Sequence, residues 1–417
     1  MKMLSKLAGE YKYFQGMPHN MRVLLITNML YSMVLPVVEV FLAAYIMRYF
    51  NETIYVATFQ LAMYSGIVIT SVLNGFLLRK FNIAHLYTFG ILLSGVTMLA
   101  MMQVKTLSVT GLFIAGLLIG ASSGFFWTNR YLMTFNSTED KNRNYFFGLE
   151  SFFFTVSNII IPLVVGAILS SFDGLQLWGK TFEIYSGYRF VTILVFIITI
   201  LAGFSLMRAK YTNPVQKSFF FFKFHHLWNL QMILAALKGL VQGFLVTAPA
   251  MLIMRYVGQE GSLGLIQGIG GGITALTVYL LGRFTKPQNR LAVFSIGLSI
   301  FLIGTLVNAW QLTVLGVITF LLCKVVFQPL HDLAYYPIML KVIDSVSVIE
   351  NRNPYAYILN HEFGLYLGRF LGLAIFIVLT LQFSETFALR WALVIVAAIQ
   401  MLSIPLARHI TRQSYQL

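Results

Sequence analysis

Eight ionisable side chains lie inside long apolar stretches of this 417-residue chain. If these stretches cross a bilayer, each ionised side chain near the centre costs about 2.5–3.5 kcal/mol unless it is paired or faces water. Such residues mark candidate sites for ligand binding, proton transfer or internal ion pairs. In chain order they are Glu39, Arg130, Glu150, Lys238, Lys324, Asp332, Glu362 and Arg369.

Two of the cations, Lys238 and Lys324, lie near the middle of their stretches, and Glu39 is the acid at comparable depth. Two cations against one acid predict a surplus of positive charge, which would attract a carboxylate or phosphate group. Glu39 is then the candidate protonation site that couples binding to a proton gradient. The alternative is that a buried lysine stays uncharged among glutamine and tyrosine side chains.

Polar residues spaced three, four, seven or eleven positions apart share one side of a helix. Glu39, Lys238 and Lys324 each have an amide side chain on the same side of their helix, four or eleven residues away. We predict that these amides bind the ligand, and that three aromatic rings could stack on it. The amides are Asn28, Gln242 and Gln328, and the rings are Tyr64, Trp127 and Tyr335.

Four other charges have gating or pairing interpretations. Arg130 in WTNRY and Asp332 in PLHDL occupy equivalent places near the ends of two stretches, so a bridge between them could close a gate. Glu362 lies seven residues before Arg369. It is therefore either a second proton-coupling residue or one half of an internal ion pair.

The remaining patterns predict no enzyme chemistry. The GASSG sequence at 120–124 matches a hydrolase nucleophile motif, but it lies inside an apolar stretch rather than at a strand-to-helix turn. The seven histidines show no ligand spacing, and the single cysteine, Cys323, excludes an internal disulfide and a cysteine metal cluster. We therefore expect no catalytic residue, no metal and no cofactor.

The composition explains where these residues lie. The chain is 58% hydrophobic and 10% charged, with a mean hydropathy of +0.78. Twelve segments are long enough to cross about 30 Å of hydrocarbon as helices, so we predict an all-α integral membrane protein. The predicted segments are 21–48, 54–78, 84–104, 108–134, 145–171, 188–208, 228–256, 261–282, 290–309, 312–337, 354–382 and 386–407.

The formal net charge of +15 is interpreted as a topology signal. Nineteen of the 29 lysines and arginines fall in the terminal segments and even-numbered loops, against six in the odd-numbered loops. Because lysine and arginine favour the cytoplasmic side, this bias predicts both termini in the cytoplasm of a cell with the protein in its cell membrane. Anionic lipid headgroups, rather than nucleic acid, are the expected partner of the basic loops.

Short sequence matches recur between the first and second parts of the chain. IMRY at 46–49 recurs at 253–256, and LLRKF at 77–81 recurs as LLGRF at 280–284. Because these matches recur in the same order, they predict an internal repeat of two halves with six helices each. The predicted boundaries are 1–208 for the first half, 209–227 for a cytoplasmic linker and 228–417 for the second half.

Twelve helices in two halves, joined by a basic linker, resemble the major facilitator superfamily of secondary transporters. GFLLRKFNIAH at 75–85 is similar to the family motif G-x-x-x-D-R-x-G-R, but Arg79 replaces the acid and Asn82 the second glycine. In that family, helices 1, 4, 7 and 10 line a central cavity, and five of the eight intramembrane charges fall on these four helices. The resemblance implies a monomeric transporter that works by alternating access.

From these patterns we predict a secondary active transporter, not an enzyme, that moves a small anionic organic solute with protons. Two alternatives of other kinds are an exporter of drugs or neutral metabolites with the same fold, and a polytopic membrane enzyme. A receptor or scaffold of this fold is a further alternative. An enzyme would need a cluster of histidines and acids at the membrane surface, for which His331 with Asp332 is the nearest match.

Glycines that recur at every fourth position allow helix backbones to approach closely. In the resembling fold, helices 8 and 11 pack between the halves, so their tracks are expected to line the surfaces that move past each other. The three tracks are Gly116, Gly120 and Gly124; Gly264, Gly268 and Gly272; and Gly364, Gly368 and Gly372.

Overall fold

A computed structural model describes residues 11–103, 108–138, 140–177, 180–213 and 221–414. Within them, twelve helical segments are long and apolar enough to cross a membrane, which confirms the predicted all-α membrane fold. Span 10 ends at Ile349 rather than at residue 337. Spans 1 to 12 are His19–Phe50, Thr53–Leu77, Ile83–Met102, Val109–Thr134, Tyr145–Phe172, Ile184–Leu206, His226–Tyr256, Glu260–Leu281, Arg290–Gln311, Val314–Ile349, Ala356–Gln382 and Glu385–Ser414.

Three spans are interrupted. A proline lies at or just after each interruption, at Pro36, Pro249 and Pro405, because a proline lacks the N–H group that continues a helix. The breaks in spans 1 and 7 fall beside Glu39 and Gln242. Span 1 consists of His19–Ser32, a π-helical turn Val37–Phe41 and Leu42–Phe50; span 7 of His226–Leu245 and Ala248–Tyr256; span 12 of Glu385–Gln400 and Ser403–Ser414.

Several helices extend beyond their spans, and short elements connect others. The longer helices are Ile83–Gln103, Val109–Ser137, Asp140–Phe172, Glu260–Phe284 and Pro354–Gln382. Two strands of two residues each, Gln176–Leu177 and Lys180–Thr181, pair antiparallel between spans 5 and 6, and a 3₁₀ turn Pro287–Asn289 precedes span 9.

The first six spans pack mainly among themselves, and so do the last six. Span 4 lies against spans 2 and 3, and span 3 against span 6. In the second set, span 7 packs on span 11, and span 10 on span 9. The two sets meet where span 5 contacts span 8, where span 2 contacts span 11, and at the ends of spans 1 and 7.

The glycine tracks pack closely, but not all where we expected. The span 8 track does lie between the sets: a Cβ atom on Gly264 would collide with the carbonyl oxygen of Pro162 in span 5. The prediction for span 11 was wrong, because a Cβ atom on Gly368 would collide with Ala236 in span 7 of the same set. Span 11 meets the first set through another face, where Tyr366 and Ser65 hydroxyls lie 3.0 Å apart.

We call the side where span 1 begins and span 12 ends the terminal side, and the opposite side the far side. At the far side the two sets are joined by Arg48 of span 1 and Glu260 of span 8. The guanidinium donates to both carboxylate oxygens at 2.5 and 2.6 Å. Tyr188 of span 6 donates to the same carboxylate at 3.1 Å, so the far ends are held together in this conformation.

At the terminal side, the start of the predicted linker is bound to the first set. Asn213 donates to the carbonyl oxygens of Leu78 and Phe81 at 2.6 and 2.7 Å and accepts from the backbone N–H of Ile83. Asn82 donates to the carbonyl of Tyr211 at 2.8 Å. The loop that departs from the family motif therefore holds residues 211–213; residues 214–220 of the linker lie outside the described part of the chain.

Candidate functional site

A cavity of about 80 Å³, partly open to its surroundings, lies among spans 7, 10 and 12. We call it the span 7–10 pocket. Four of the predicted binding residues line it together, two lysines and two glutamines from spans 7 and 10. Its lining residues are Lys238, Val241, Gln242, Leu245, Val246, Lys324, Phe327, Gln328, His331, Asp332 and Gln400.

Lys238 is enclosed by groups of the protein. Its ammonium lies 2.7 Å from Asp332 Oδ1, with only 4% of the side chain exposed. The rings of Tyr335 and Tyr336 lie at 4.2 and 4.0 Å from the same Nζ atom, at distances where a cation is attracted to an aromatic face. The charge of Lys238 is thus balanced within the last six spans.

The predicted bridge between Arg130 and Asp332 does not form in this conformation. Arg130 instead donates to both oxygens of Glu150, at 2.8 and 2.5 Å. It is buried, and its guanidinium lies 5.1 Å from the Trp127 ring. A bidentate pair between neighbouring helices is a more direct partner for a buried guanidinium than an acid in the other set of spans.

The expected surplus of positive charge is smaller than the sequence indicated. Asp332 neutralises Lys238, so Lys324 is the cation that faces Glu39 without an ion pair. Lys324 makes no hydrogen bond and no ion pair within 4 Å in the described ranges, and the same holds for Glu39. The two residues nevertheless lie within electrostatic reach of each other across the two sets of spans.

Glu39 lies on the π-helical turn of span 1. Its side chain is exposed, although Val38 and Phe41 of the same turn are buried. It also lies within electrostatic reach of Tyr64 in span 2. The turn therefore directs this carboxylate into accessible space between the two sets, opposite Lys324.

Asn28 is not brought to the pocket. It is fully buried in the first set, where its amide donates to Glu150 at 2.6 Å and accepts from the hydroxyl of Tyr87 at 2.5 Å. These bonds join spans 1, 3 and 5 through the carboxylate that also holds Arg130. The residue predicted to bind a ligand thus supports an internal network.

The three predicted stacking rings are also engaged elsewhere. Trp127 lies under Arg130, and the buried Tyr335 hydroxyl lies 2.6 Å from His361 Nε2. Tyr64 is buried and donates to the carbonyl oxygen of Gln242 at 3.2 Å. Tyr64 therefore links the first set of spans directly to the wall of the pocket.

Glu362 has weak partners. Its carboxylate lies 3.8 Å from Arg369 and 3.9 Å from His361 Nδ1, and 36% of the side chain is exposed. Arg369 donates to the side-chain oxygen of Gln242 at 3.1 Å. The pairing of Glu362 with Arg369 that the sequence allowed is thus present at long distance, next to the pocket.

Some lining residues escaped the sequence-based prediction. Val241, Leu245 and Val246 follow Lys238 at helical spacings, so their position could have been found from the period of span 7. His331 lies next to Asp332 and contacts its Oδ1 at 3.1 Å. Gln400 in span 12 gave no signal other than being a polar residue in an apolar run.

The described residues contain no group of three or more histidine, cysteine or acidic side chains that could hold a metal ion. The geometry instead provides a pocket in one set of spans, a free lysine at its edge and a free carboxylate opposite. Groups placed in this way can bind and release a polar solute between two bodies.

The family model described as Major Facilitator Superfamily matches residues 24–348. The chain belongs to this superfamily. The protein YqgE of Bacillus subtilis (strain 168), described as uncharacterized, is 21% identical over 398 residues, which cover 95% of this chain and 90% of YqgE. An uncharacterized protein of Geobacillus stearothermophilus, from the sodM 3' region, is 23% identical over 192 residues, 46% of this chain and 87% of that protein.

Two solved structures share the fold. One is a bacterial homolog of the human lysosomal transporter Spinster in an inward-facing and occupied conformation, with a TM-score of 0.65, 13% identity and coverage of 94% of this chain and 96% of that one. The other is the nucleoside transporter NupG, with a TM-score of 0.66, 15% identity and coverage of 95% and 99%. This member of the major facilitator superfamily is therefore a multi-pass membrane protein and a secondary transporter of a small molecule.

Proposed function

We propose that the protein transports a small organic anion together with a proton by alternating access. The observation that carries this proposal is the pair of opposite charges, Lys324 and Glu39, that lie on different sets of spans without an ion-pair partner in the described ranges. A charge held in a membrane span without a partner is a functional candidate because its cost is not offset inside the protein.

Lys324 is proposed to bind the anionic group. It lies one helical turn from Gln328, whose side chain is exposed and has no hydrogen-bond partner in the described part of the chain. An ammonium and an amide N–H on one helix face are suitable donors for the two oxygens of a carboxylate.

Glu39 is proposed to bind the proton. An anion on Lys324 places a second negative charge near the Glu39 carboxylate, and protonation of Glu39 restores neutrality. The loaded site then carries no net charge from these groups, which favours its passage through the closed intermediate. Glu362, which is partly exposed beside the pocket, is a second candidate in the same role.

The moving bodies are proposed to be residues 1–208 and 228–417, with 209–227 as the linker and both termini in the cytoplasm of a cell whose membrane holds a monomer. The lysines and arginines of the terminal side support this orientation, and anionic lipid headgroups would be their partners. When the far ends separate, Arg130 and Asp332 are candidates for a contact that closes the terminal side.

The test uses the purified protein in proteoliposomes with an inward proton gradient and a panel of organic acids, phosphorylated metabolites, sugars and peptides. We expect an acid to accumulate only with the gradient. Lys324→Gln should weaken its binding at least about tenfold, because a charged hydrogen bond is lost. Glu39→Gln should abolish gradient-driven accumulation but keep exchange of substrate across the membrane.

Two results would contradict the proposal. Thermal stabilisation by neutral or cationic compounds alone would exclude an anionic substrate. Full transport by the Lys324→Gln variant would exclude this lysine from binding, whatever the substrate is.

A further inference from the structure

Most polar side chains that line the span 7–10 pocket are already bonded to other protein groups. Lys238 pairs with Asp332, and Gln242 accepts from Arg369. His331 lies 3.1 Å from Asp332 and 3.3 Å from the amide nitrogen of Gln400. The carbonyl oxygen of Gln400 has no partner in the described ranges, but it is an acceptor and is buried.

Lys324 and Gln328 make no side-chain hydrogen bond in the described part of the chain, and the amide N–H₂ group of Gln242 also has no acceptor there. Lys324 and Gln328 lie on one helix face about 6 Å apart along the axis of span 10, and Lys324 is the cation among these donors. This spacing suits one carboxylate. A second anionic group in the same pocket would meet Asp332 or a lysine that Asp332 already neutralises.

The rest of the pocket wall is apolar. Val241, Leu245 and Val246 of span 7 and Phe327 of span 10 line it. An apolar group of the substrate would bury this hydrophobic surface and so bind favourably. Hydroxyl or phosphate groups would instead lose their hydration at this wall without forming hydrogen bonds to it.

We infer that the substrate is a monocarboxylic acid with an apolar body, bound with its carboxylate on Lys324 and Gln328 and its body against Val246 and Phe327. This inference rests on the proposed function and adds the substrate class. It excludes di- and tricarboxylates, sugar phosphates and nucleotides, because the pocket offers a single free cation.

The experiment measures binding to the full-length protein in detergent by competition and thermal shift. The probes are pentanoate, hexanoate and heptanoate, each matched with the dicarboxylate of the same length, glutarate, adipate or pimelate. We expect affinity to rise about fourfold for each added CH₂ group until the pocket is filled. The matched dicarboxylates should bind at least about tenfold more weakly.

Two variants test the position of the apolar body. Val246→Thr keeps the shape of the side chain but replaces a methyl by a hydroxyl, and should weaken hexanoate binding about fourfold. Val278→Thr is the matched control, because Val278 in span 8 is 53% exposed and is not a lining residue; it should leave binding unchanged.

Three results would overturn the inference: dicarboxylates or phosphorylated compounds that bind as well as the monocarboxylates, an affinity independent of chain length, or a preference for leucine over 4-methylpentanoate. Leucine differs from 4-methylpentanoate by an α-ammonium group, so a preference for leucine would mean that Glu39 binds an ammonium group of the substrate. The proposed function fails separately, if Lys324→Gln binds all these acids like the wild type. If Lys324→Gln abolishes binding but chain length has no effect, only the substrate class is wrong.

Discussion

Lys238 and Lys324 differ in what surrounds their ammonium groups, although both occupy the middle of an apolar helix. Lys238 has a carboxylate and two tyrosine rings within about 4 Å. Lys324 has no such partner within the described ranges and faces accessible space. We therefore expect the first lysine to stabilise the fold and propose the second as the one that binds substrate.

This difference predicts opposite results for two similar substitutions. Lys238→Gln leaves Asp332 without its cation and should lower the free energy of unfolding by about 2–3 kcal/mol, less than for a fully buried pair because Asp332 is 29% exposed. The double variant Lys238→Gln/Asp332→Asn should recover most of this loss and still bind substrate. Lys324→Gln should leave stability unchanged but lose binding.

Thermal unfolding of the four proteins, with substrate binding on each, provides the measurement. A double variant as unstable as the sum of its single changes would contradict a direct pair. Loss of binding in the double variant at normal stability would mean that Lys238 contacts the substrate.

The sequence identified the charged residues but not their partners. A charge in an apolar run is visible because of its cost. Its partner is not, because several acids lie at similar depth on other helices: Lys238 pairs with an acid 94 positions away, and Arg130 pairs with one 20 positions away. Asn28 shared a helix face with Glu39, yet the break at Met33 to Pro36 separates their surroundings.

At the scale of helices, the span 8 glycines form part of the contact between the two sets. A methyl group on Gly264 would meet the backbone of span 5, whereas Gly272 on the same track has open space around it. Gly264→Ala should therefore disfavour the conformation in which the far ends are closed, by about 1–3 kcal/mol, and slow transport about tenfold. Gly272→Ala is the matched control and should be neutral or slightly stabilising, since alanine favours a helix.

Transport rates and thermal stability of both variants can be measured in parallel. Equal rates for Gly264→Ala and Gly272→Ala would show that span 5 and span 8 do not need this close approach.

The pair of Arg48 and Glu260 is predicted to hold the far ends together. Arg48→Gln removes a bidentate ion pair and should shift the balance of conformations by about 1–2 kcal/mol, roughly tenfold, towards separated far ends. Arg255→Gln is the control, because Arg255 occupies the repeat-equivalent place and is exposed. Spin labels on cysteines at positions 52 and 259, with Cys323→Ala, would report the distance; an unchanged distance distribution in Arg48→Gln would contradict the role.

Helix positions were predictable because about twenty apolar residues must cross the hydrocarbon as a helix. Prolines were a weaker guide to the interruptions, because Pro162, Pro329 and Pro337 lie inside continuous helices. The contacts between helices were harder to predict from the sequence. The glycines of span 11 show that some helix comes close, but their spacing is equally suited to span 7 and to span 2. The structure places them against span 7.

At the scale of the whole molecule, the two sets of spans are joined at the far side and near mid-span by the contacts that the structure describes. Arg48 and Glu260 lie at that side, and Tyr64 with Gln242 joins the sets at mid-span. In the terminal-side halves of spans 4 and 10, Arg130 and Asp332 instead pair within their own sets, so this bridge between the sets is not formed. Access to the pocket should therefore run from the terminal side in this conformation.

The single cysteine of the chain makes this access measurable. In a Cys323→Ala background, a cysteine introduced by Gln328→Cys should react with a membrane-impermeant maleimide applied from the terminal side, and at least about tenfold more slowly from the far side. Leu322→Cys is the control: Leu322 is 46% exposed on the same helix but does not line the pocket, so we expect it to face lipid and to stay unlabelled from both sides. Adding Arg48→Gln should raise far-side labelling of Gln328→Cys, because the far ends then separate more often.

Two results would contradict this direction of access. Equal labelling of Gln328→Cys from both sides, with Arg48 unchanged, would mean that the pocket is an open channel. Labelling only from the far side would mean that the pocket opens to the far side in this conformation.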